Sequence, residues 1–490
     1  MNVLFFSPYS AWTRPWGTDL ELMERHLSAG DDVTVIVCDR ALESCDPNMC
    51  HQRALCWRCV ARRDAGLSRL SRPVRTHRLG ELFDEKDRHL VDRFPSAFSS
   101  HDELKKLTLE GFDIGVAALS SLISWRRDSG VDLQRHAIPL RRLLRAAGMT
   151  YFAMKRYLRA HNPDRVYLFN GRLCPVRSAV RACEALNVPF FACEVGRDMH
   201  HFAMYDNALP HDIGYRERQI RKVWEKSPHS IDERETMASS WYERRAGGFA
   251  TNDRCYTKEQ QPGRLPDDWD SARHTVVAFT SSEHEFASIG EEWYNPLFKD
   301  QVEALAYIVE QTRSQSNFHL YGRVHPNLKK VSDASTRAIL GLTGPHVTMI
   351  PPDSPVSSYS LLRACSTVLT FGSTIGIEAA YWNKPSVLVG RSFYQNLGST
   401  YNPETPEELI GFLTQTLKPR SRQGALQYAY YHSTLGEPFR YYRALSFDRG
   451  IFEGNRIRAQ GLTQSLRING MERVDFALKR AWQLWQSCVQ

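Results

Sequence analysis

Apolar residues along this chain follow two patterns: short unbroken runs, and longer segments in which they return every three or four positions. The short runs predict buried strands, and the periodic segments predict the helices that cover them. In the segment 140–158, for example, Leu140, Leu143, Leu144 and Ala147 fall on one helical face. Four strands are predicted in the first half of the chain, at residues 3–6, 33–37, 166–169 and 189–193. Strands that alternate with helices in this way favour a parallel sheet.

A second alternation of strands and helices starts near residue 275. Its predicted strands are 275–280, 318–324, 347–350, 367–371 and 386–389, and its predicted helices are 297–312, 358–364, 375–381 and 406–417. We therefore expect an α/β protein with two Rossmann-like αβα domains facing across a cleft. The predicted division is an N-terminal domain at 1–235 with a Cys-containing insertion at about 40–130, a linker at 236–270, a C-terminal domain at 271–445 and a helical tail at 446–490.

Composition narrows the class of protein and the kind of ligand. Of the 490 residues, 42% are hydrophobic and 24% are charged, which is typical of a globular chain and excludes a mainly disordered or fibrous one. No apolar run approaches the ~20 residues that span a bilayer, and no signal peptide is evident, so we expect a cytoplasmic protein. The net charge of +8 suits anionic ligands such as nucleotide phosphates, or the inner surface of a membrane. Motifs of nucleic-acid binding proteins are missing, and we expect no such partner.

The eleven cysteines are an odd number on a chain without an export signal, which favours reduced thiols. Four of them, Cys45, Cys50, Cys56 and Cys59, lie close together in the insertion. One interpretation is a four-thiolate zinc site, because zinc uses such closely spaced cysteines. Only Cys56 and Cys59 have the two-residue spacing of a zinc knuckle, so we expect reduced structural thiols and keep zinc as the alternative.

Small hydroxyl residues follow a predicted strand and open a helix at residues 372–378. Gly372 lets the backbone approach a ligand closely, and Ser373 and Thr374 add hydroxyls to the backbone amides of the helix start. These groups suit a phosphate. Glu378 lies one turn into the helix, where its carboxylate can accept a hydrogen bond from a ribose hydroxyl. The alternative is an ordinary helix cap with a solvent-facing glutamate.

Two further groups follow strands that we predict in the same sheet. Arg323 and His325 end one strand, where they can donate to a phosphate. Ser281 and Ser282 follow another, with hydroxyl and amide donors. Because the carboxyl ends of parallel strands meet at one edge, we expect Ser373 and His325 to face the same crevice.

Three runs in this half resemble those of the bacterial capsule and surface-polysaccharide biosynthesis proteins: FGSTIGIEAAYWNKPSVLVGRSFY, RVHP and FTSSEHEF. Those proteins are GT-B-type glycosyltransferases, distantly related to the families that use CMP-activated sialic acid or Kdo. The resemblance is sharpest over 275–400 and weaker at GFDIGVAALSS and LFNGRLCPVRSAVRAC. It implies a GT-B-like fold whose C-terminal domain binds a nucleotide-sugar donor and whose N-terminal domain binds a glycan or lipid-linked acceptor. It also implies catalysis without a metal or other cofactor, in surface polysaccharide or lipopolysaccharide assembly.

The resemblance further implies that His325, Ser373 and Thr374 contact the donor phosphate, that Glu378 contacts the ribose, and that the N-terminal domain supplies a base. Glu194, which follows the strand at 189–193, is the first candidate for that base, and Asp19 is the second. Asp19 is also placed to cap the first helix, after the loop at 7–18.

Asn170 and Arg172 follow the neighbouring strand and are expected to help bind the acceptor. Three arginines on one predicted helix suit peripheral contact with the inner membrane surface, or a solvated face: Arg141, Arg142 and Arg145. Two other functions stay open: a CDP-alcohol phosphotransferase of the teichoic-acid type, and a non-catalytic partner that binds nucleotide or glycan in an assembly complex.

Overall fold

The structure is a computed structural model that describes residues 1–95, 97–249, 256–329, 331, 334–446 and 449–457. The chain divides into two compact units. Unit 1 comprises Met1–Arg126, Val131–Pro210 and the described residues from Gly436 onward. Unit 2 comprises Arg127–Gly130 and His211–Leu435.

The N-terminal part of unit 1 alternates strands with helices. Its strands are β1 (Asn2–Ser7), β2 (Asp32–Val37), β3 (Arg75–Arg78), β4 (Arg165–Phe169), β5 (Phe190–Val195) and β6 (His201–Asp206). Its helices are α1 (Thr13–Ser28), α2 (Arg53–Leu67), α3 (Glu85–Val91), α4 (His101–Lys105), α5 (Ile114–Arg126), α6 (Ala137–His161) and α7 (Cys174–Ala185).

Unit 2 repeats this alternation after two leading helices. Its helices are α8 (Ile213–Glu225), α9 (Ile231–Ala246), α10 (Gln301–Gln311), α11 (Ala334–Leu340), α12 (Ser358–Ala364), α13 (Ile375–Tyr381), α14 (Pro406–Thr414) and α15 (Gln423–Thr434). Its strands are β7 (His274–Phe279), β8 (Phe318–Arg323), β9 (Val347–Ile350), β10 (Thr367–Thr370) and β11 (Ser386–Leu388). Four strands of the C-terminal part then belong to unit 1: β12 (Glu437–Pro438), β13 (Tyr442–Ser446), β14 (Arg449–Phe452) and β15 (Asn455–Arg456).

The large sheet of unit 1 has the strand order β12-β6-β5-β4-β1-β2-β3. The pairings from β3 to β5 are parallel, and β6 and β12 are antiparallel additions at one edge. Phe5 of β1 lies opposite Val35 on one side and Tyr167 on the other. Both faces of β1 are covered, because Phe5 and its neighbour Phe6 point to opposite faces and both are buried. The reversal of strand order between β1 and β4 is the Rossmann switch point.

The sheet of unit 2 is entirely parallel, with the order β11-β10-β7-β8-β9. It has the same order as the five parallel strands of unit 1, and it reverses between β7 and β10. Alternate residues of β7 enter different cores: Val276 and Ala278 pack in one cluster, and Val277 and Phe279 pack in another. This alternation explains why the strand is apolar throughout. The two units are therefore Rossmann-like αβα structures, and the predicted fold class is confirmed to this extent.

The division of the chain differs from the predicted one. Unit 2 begins at His211 and not at 271. The segment 236–270, predicted as a linker, begins inside α9, whose Trp241 and Tyr242 share a core with Tyr428 of α15. The chain crosses back to unit 1 at Gly436, and residues 446–457 of the predicted helical tail contain strands. Residues 458–490 of that predicted tail lie outside the described part of the chain.

The first helix is also longer than expected. It begins at Thr13, so the predicted loop at 7–18 is half helical. The buried stripe of Leu20, Met23 and Leu27 extends one turn earlier to Trp16, which is 1% exposed. Asp19 therefore lies inside α1 and does not cap it.

The C-terminal strands pack on this helix. Tyr442, Phe452 and Ile457 join the core that contains Trp16 and Leu20. The buried carboxylate of Glu21 accepts hydrogen bonds from three successive backbone N–H groups, those of Arg440 (2.9 Å), Tyr441 (2.7 Å) and Tyr442 (2.9 Å). Arg25 also donates to Glu21, at 2.8 Å.

Candidate functional site

A cavity of unit 2 lies at the carboxyl ends of β7, β8 and β10, beside the switch point of its sheet. Its volume is about 100 Å³, roughly that of three water molecules in the liquid and enough for a phosphate group. The lining includes these residues selected from the sequence: Arg323, His325, Ser373, Thr374 and Glu378. The sequence-based expectation that His325 and Ser373 face one crevice therefore agrees with the geometry.

His325 is half-buried and lies two residues after the end of β8. Its backbone N–H donates to the hydroxyl of Thr280 at 2.9 Å, which fixes the residue beside the end of β7. Its Nδ1 accepts the N–H of Asn327 at 3.1 Å, so the neutral ring carries its proton on Nε2. Burial, together with the nearby Arg323 and His284, lowers the pKa of His325 to about 4. The ring is thus a neutral donor at physiological pH.

Arg323 is the last residue of β8 and is 1% exposed. Its guanidinium donates to the backbone carbonyls of Pro351 and of Ser354, the latter at 3.2 Å. Burial lowers the pKa of Arg323 to about 10, which still leaves it cationic at neutral pH. Carbonyl partners orient the guanidinium without neutralising it, so the wall of the cavity carries positive charge.

Glu378 faces the cavity but is not the solvent-facing glutamate of the alternative interpretation. It is 1% exposed. One carboxylate oxygen accepts from Nε of Arg245 at 3.1 Å, and the other accepts from the hydroxyl of Tyr359 at 2.6 Å. Burial, followed by the charge of Glu378, raises the pKa of Tyr359, which keeps this hydroxyl protonated. Arg245 and Tyr359 therefore hold the carboxylate in a fixed position.

Ser373 and Thr374 precede α13, a helix of seven residues. The N–H of Ser373 donates to Oγ1 of Thr370 at 3.1 Å, and its carbonyl accepts from the hydroxyl of Tyr394 at 2.5 Å. Oγ1 of Thr374 accepts from Arg245 at 3.0 Å. The loop is therefore fixed from both sides, with the two hydroxyl residues at the cavity wall.

Gly372 is needed for a different reason from the one predicted. Its φ of 108° belongs to the region that favours glycine, and a Cβ there would lie 2.6 Å from the carbonyl oxygen of Arg391. The close approach is to this neighbouring backbone, and Gly372 does not line the cavity. The predicted ligand contact at this residue is corrected accordingly.

Ser281 and Ser282 lie behind the cavity wall. Both are buried, at 3% and 5% exposure, and neither lines the cavity. Gln301 at the start of α10 accepts from the N–H of Ser281 at 2.9 Å and donates to its carbonyl at 3.0 Å. The hydroxyl of Ser282 lies 3.4 Å from Nδ1 of His325. These serines fix the loop that supports His325, and the predicted direct donor contact is replaced by a supporting one.

Several lining residues were missed from the sequence: Arg245, Tyr256, Thr257, Thr280 and Tyr359. The most informative omission is Arg245, because its segment was interpreted as a linker. A signal was present, since Ser230 and Glu233 have the spacing of a capping box, and both of its hydrogen bonds are formed at the start of α9. Helix α9 then places Arg245 in its last turn, beside Glu378.

In unit 1, Glu194 and Asn170 lie at the carboxyl ends of the neighbouring strands β5 and β4. Glu194 is the fifth residue of β5, so the strand continues past its predicted end. The side-chain amide of Asn170 donates to its carboxylate at 2.6 Å, and the N–H of Val195 donates at 2.9 Å. The carboxylate is half-buried and held by neutral donors. Two residues selected from the sequence for different roles, Glu194 and Asn170, therefore contact each other in the structure.

Asp19 and Arg172 are buried, unlike Glu194. Asp19 is 5% exposed and accepts from the hydroxyl of Ser7 at 2.7 Å. Burial raises the pKa of Asp19 to about 7, although the bond from Ser7 opposes this shift. Arg172 is 8% exposed and donates to Ser120 at 2.8 Å. Such burial disfavours direct contact of either side chain with an acceptor.

The four cysteines selected for zinc do not converge. Cys50 is exposed, whereas Cys45, Cys56 and Cys59 are half-buried. Within the described ranges, no group of three or more His, Cys, Asp or Glu side chains is placed to hold a metal ion. The predicted zinc alternative with this ligand set is therefore corrected.

Two structural observations bear on the expected contact with the inner membrane surface. Arg145 forms ion pairs with Glu43 at 3.3 Å and with Asp92 at 3.2 Å, so one of the three arginines is already engaged. In the part of the chain that the structure describes, no helix combines the length and apolarity required to cross a bilayer.

Comparison with known proteins gives similarity of structure only. No protein-family model and no curated protein matches the chain. Among solved structures, the chain is similar to KpsC of Thermosulfurimonas dismutans, a beta Kdo 2,4 transferase, at 13% identity and a TM-score of 0.37, covering 64% of this chain and 88% of that one. It is similar to the UDP-GlcNAc 2-epimerase of Neisseria meningitidis at 11% identity and a TM-score of 0.28, covering 88% and 97%. It is similar to the calicheamicin glycosyltransferase CalG4 at 13% identity and a TM-score of 0.26, covering 89% and 93%. At these values, function is inferred from the site residues alone.

Proposed function

We propose that this protein is a glycosyltransferase that moves a sugar from a nucleotide-activated donor to a glycan or lipid-linked acceptor in surface polysaccharide assembly. One observation carries the proposal: residues that follow β8 and β10 of a parallel sheet, His325 and Ser373, line a single cavity with the cation Arg323. Open α/β sheets bind their ligands at this edge. A cavity of phosphate size with an imidazole N–H, hydroxyls and a guanidinium suits the phosphate of a nucleotide.

His325 is the central phosphate ligand in this proposal. Its Nδ1 is occupied by the N–H of Asn327, so Nε2–H is the donor available to an anion. A phosphate dianion bound there opposes the positive field of Arg323 and raises the pKa of His325 from its value of about 4. As the sugar leaves the donor, negative charge develops on the phosphate, and these fixed donors stabilise it.

Glu378 is the proposed ribose contact. Oε1 lies 3.1 Å from both Nε and Nη2 of Arg245, whereas Oε2 accepts one hydrogen bond, from Tyr359, and its second lone pair can accept one more. Because Arg245 and Tyr359 fix the carboxylate, a ribose hydroxyl would meet an acceptor that is already oriented.

Glu194 is the proposed base. In the transfer step the acceptor oxygen forms a bond to the anomeric carbon, the bond between that carbon and the phosphate oxygen breaks, and the acceptor proton passes to Glu194. Asn170 orients the carboxylate for this role. In this proposal the hydrogen-bond donors of unit 2 stabilise the leaving phosphate in place of a metal ion.

The test is nucleotide binding followed by turnover. CMP, UDP and GDP are titrated by calorimetry into the wild-type chain and into His325→Ala and Ser373→Ala. Loss of one hydrogen bond to a charged group costs about 1.5–3 kcal/mol, so we expect affinity to fall about tenfold or more for His325→Ala. His229→Gln is the matched control, because His229 bonds Tyr430 and does not line the cavity.

Three results would count against the proposal in different ways. Equal affinity in wild type and both cavity variants would place the nucleotide elsewhere. Binding without transfer to any glycan acceptor would favour a non-catalytic partner. Transfer of an alcohol phosphate from a CDP-alcohol, with no sugar transfer, would favour the phosphotransferase.

A further inference from the structure

Two large apolar side chains are exposed in unit 1, where α5 ends and α6 begins. Ile138 lies in the first turn of α6 and is 69% exposed, more than any other large hydrophobic side chain of the described residues. Trp125 lies near the end of α5 and is 37% exposed. Residues 127–130 between the helices belong to unit 2 and are not part of this surface. The ring of Trp125 lies 5.9 Å from the ring of His136, the residue directly before α6, so both apolar side chains belong to one surface of unit 1.

Four arginines lie beside these two side chains: Arg126, Arg135, Arg141 and Arg142. Arg126 follows Trp125, and its guanidinium lies 5.2 Å from the centroid of the tryptophan ring. Arg141 and Arg142 lie three and four positions after Ile138, so they share its face of α6. Arg142 is half-buried, and the other three arginines are exposed. These six residues form the α5–α6 surface.

Acidic side chains near the α5–α6 surface do not cancel its charge. Asp132 is the one acid within residues 131–142, and its carboxylate accepts two backbone N–H groups of its own turn. Glu43 and Asp92 both pair with Arg145, one turn further along α6. Within the described part of the chain, none of the four arginines of the surface forms an ion pair. The surface is therefore cationic as well as apolar.

A bilayer with anionic lipids matches both properties of this surface. Arginines interact with lipid phosphates, and each one near an anionic membrane strengthens binding about fivefold. Tryptophan rings favour the boundary between headgroups and acyl chains, and an exposed isoleucine leaves water there. A nucleic acid would use the arginines but would gain little from Ile138. Charge and exposed apolar groups together therefore favour a membrane as the partner.

Helix α9 shows that an exposed isoleucine alone does not give this combination. Ile231 is 60% exposed in the first turn of α9. Asp232 and Glu233 follow it in the same turn, and anionic lipids would repel both carboxylates. Ile231 is therefore a control of the same residue type in an acidic helix turn.

We propose that the α5–α6 surface docks this protein on a bilayer that contains anionic phospholipids. Trp125 and Ile138 enter the headgroup region, and the four arginines contact lipid phosphates. Arg145, which was selected from the sequence for such a contact, is not part of the surface because Glu43 and Asp92 already hold it. The proposal concerns a docking surface of unit 1, and it stands independently of the function proposed above.

Vesicle sedimentation tests the partner. The full chain is mixed with vesicles of phosphatidylcholine alone, or of phosphatidylcholine and phosphatidylglycerol in equal parts, and the bound fraction is measured. We expect binding at least about tenfold stronger to the anionic vesicles. Most of the bound protein should be released at ~1 M salt, because the Debye length falls from about 10 Å at ~0.1 M salt to about 3 Å. Equal binding to both kinds of vesicle, or binding to neither, would overturn the proposal.

Substitutions then test the surface itself, since the full chain also contains residues outside the described part. Arg141→Gln should weaken binding to the anionic vesicles about fivefold, and Ile138→Ser should weaken it about tenfold. The control for charge is Arg159→Gln, which changes an exposed arginine in the last turn of the same helix, roughly 27 Å away along its axis. The control for apolar surface is Ile231→Ser. Both control variants should bind like the wild type.

The outcomes separate the partners. Wild-type binding in both Arg141→Gln and Ile138→Ser would overturn the assignment of this surface, and so would an equal loss in the two control variants. A loss confined to Arg141→Gln, together with tight binding of a DNA duplex, would replace the membrane by a nucleic acid. Circular dichroism identifies any variant that has lost its fold, and we expect none because the substituted side chains are exposed.

Discussion

The buried carboxyl group of Asp19 gives the sharpest prediction. It lies inside α1 with 5% of its surface exposed, and it accepts one hydrogen bond, from Ser7. Burial raises its pKa to about 7 because one hydroxyl replaces only part of the lost hydration. Asp19→Asn removes the titration and keeps both the shape and an acceptor oxygen. We expect this variant to gain stability over the wild type as pH rises.

The magnitude follows from proton linkage. In the unfolded chain this carboxyl ionises near its ordinary pKa of 3.8, so between pH 3.8 and about 7 the folded state holds one extra proton. The free energy of unfolding therefore falls as pH rises through this window, by about 1.4 kcal/mol per pH unit. From about pH 5 to about pH 7 the loss is about 3 kcal/mol, and it stays constant at higher pH.

Urea unfolding followed by tryptophan fluorescence measures the effect, with wild type and Asp19→Asn compared at about pH 5 and about pH 8. The advantage of the variant should be larger at the higher pH by about 3 kcal/mol. Asp102→Asn is the surface control, since its side chain is 85% exposed. An advantage that is equal at both pH values would refute a protonated, buried Asp19.

Three further predictions concern the cavity, its supporting helix and the proposed base. The pKa of His325 is about 4 in the folded chain, below its ordinary value of 6.5. The free energy of unfolding of the wild type should therefore fall by up to about 3 kcal/mol as pH falls from 6.5 to 4. His325→Gln should lose this acid sensitivity, and an unchanged pH profile in urea unfolding would contradict it. At Gly376 a Cβ would lie 2.4 Å from the Thr370 side chain, so Gly376→Ala should cost about 1–3 kcal/mol in thermal unfolding, whereas Gly290→Ala, with open space, should cost little. Glu194→Gln should lower turnover about 10²- to 10⁴-fold and keep nucleotide affinity; full activity would remove Glu194 as the base.

The strands were predictable because parallel strands covered on both faces are apolar throughout. β7 is one such strand, since five of its six residues are buried. The loop that follows it lies at the ligand-binding edge of the sheet. The edge strand β3 was not predicted, because its residues, Arg75–Arg78, are polar and mostly exposed. An edge strand pairs with one neighbour through backbone hydrogen bonds, and this pairing does not require apolar side chains.

The sequence predicts those residues of the candidate site that follow the ends of strands. His325 and Ser373 follow β8 and β10, which flank β7 in one parallel sheet, and this topology brings them to the same edge. The partners of Glu378 depend on tertiary packing: Arg245 comes from a helix that precedes the sheet, and Tyr359 comes from α12. No local pattern around Glu378 indicates which helices will pack beside it.

The crossing of the chain back to unit 1 at Gly436 has a consequence for biosynthesis. Glu21 is buried, and three of its partners are backbone N–H groups from residues 440–442, more than four hundred positions later. While the ribosome is still making unit 2, this carboxylate lacks those partners, and the apolar side of α1 lacks Tyr442 and Phe452. Unit 1 therefore reaches its final structure only after unit 2 has been synthesised, although most of unit 1 leaves the ribosome first.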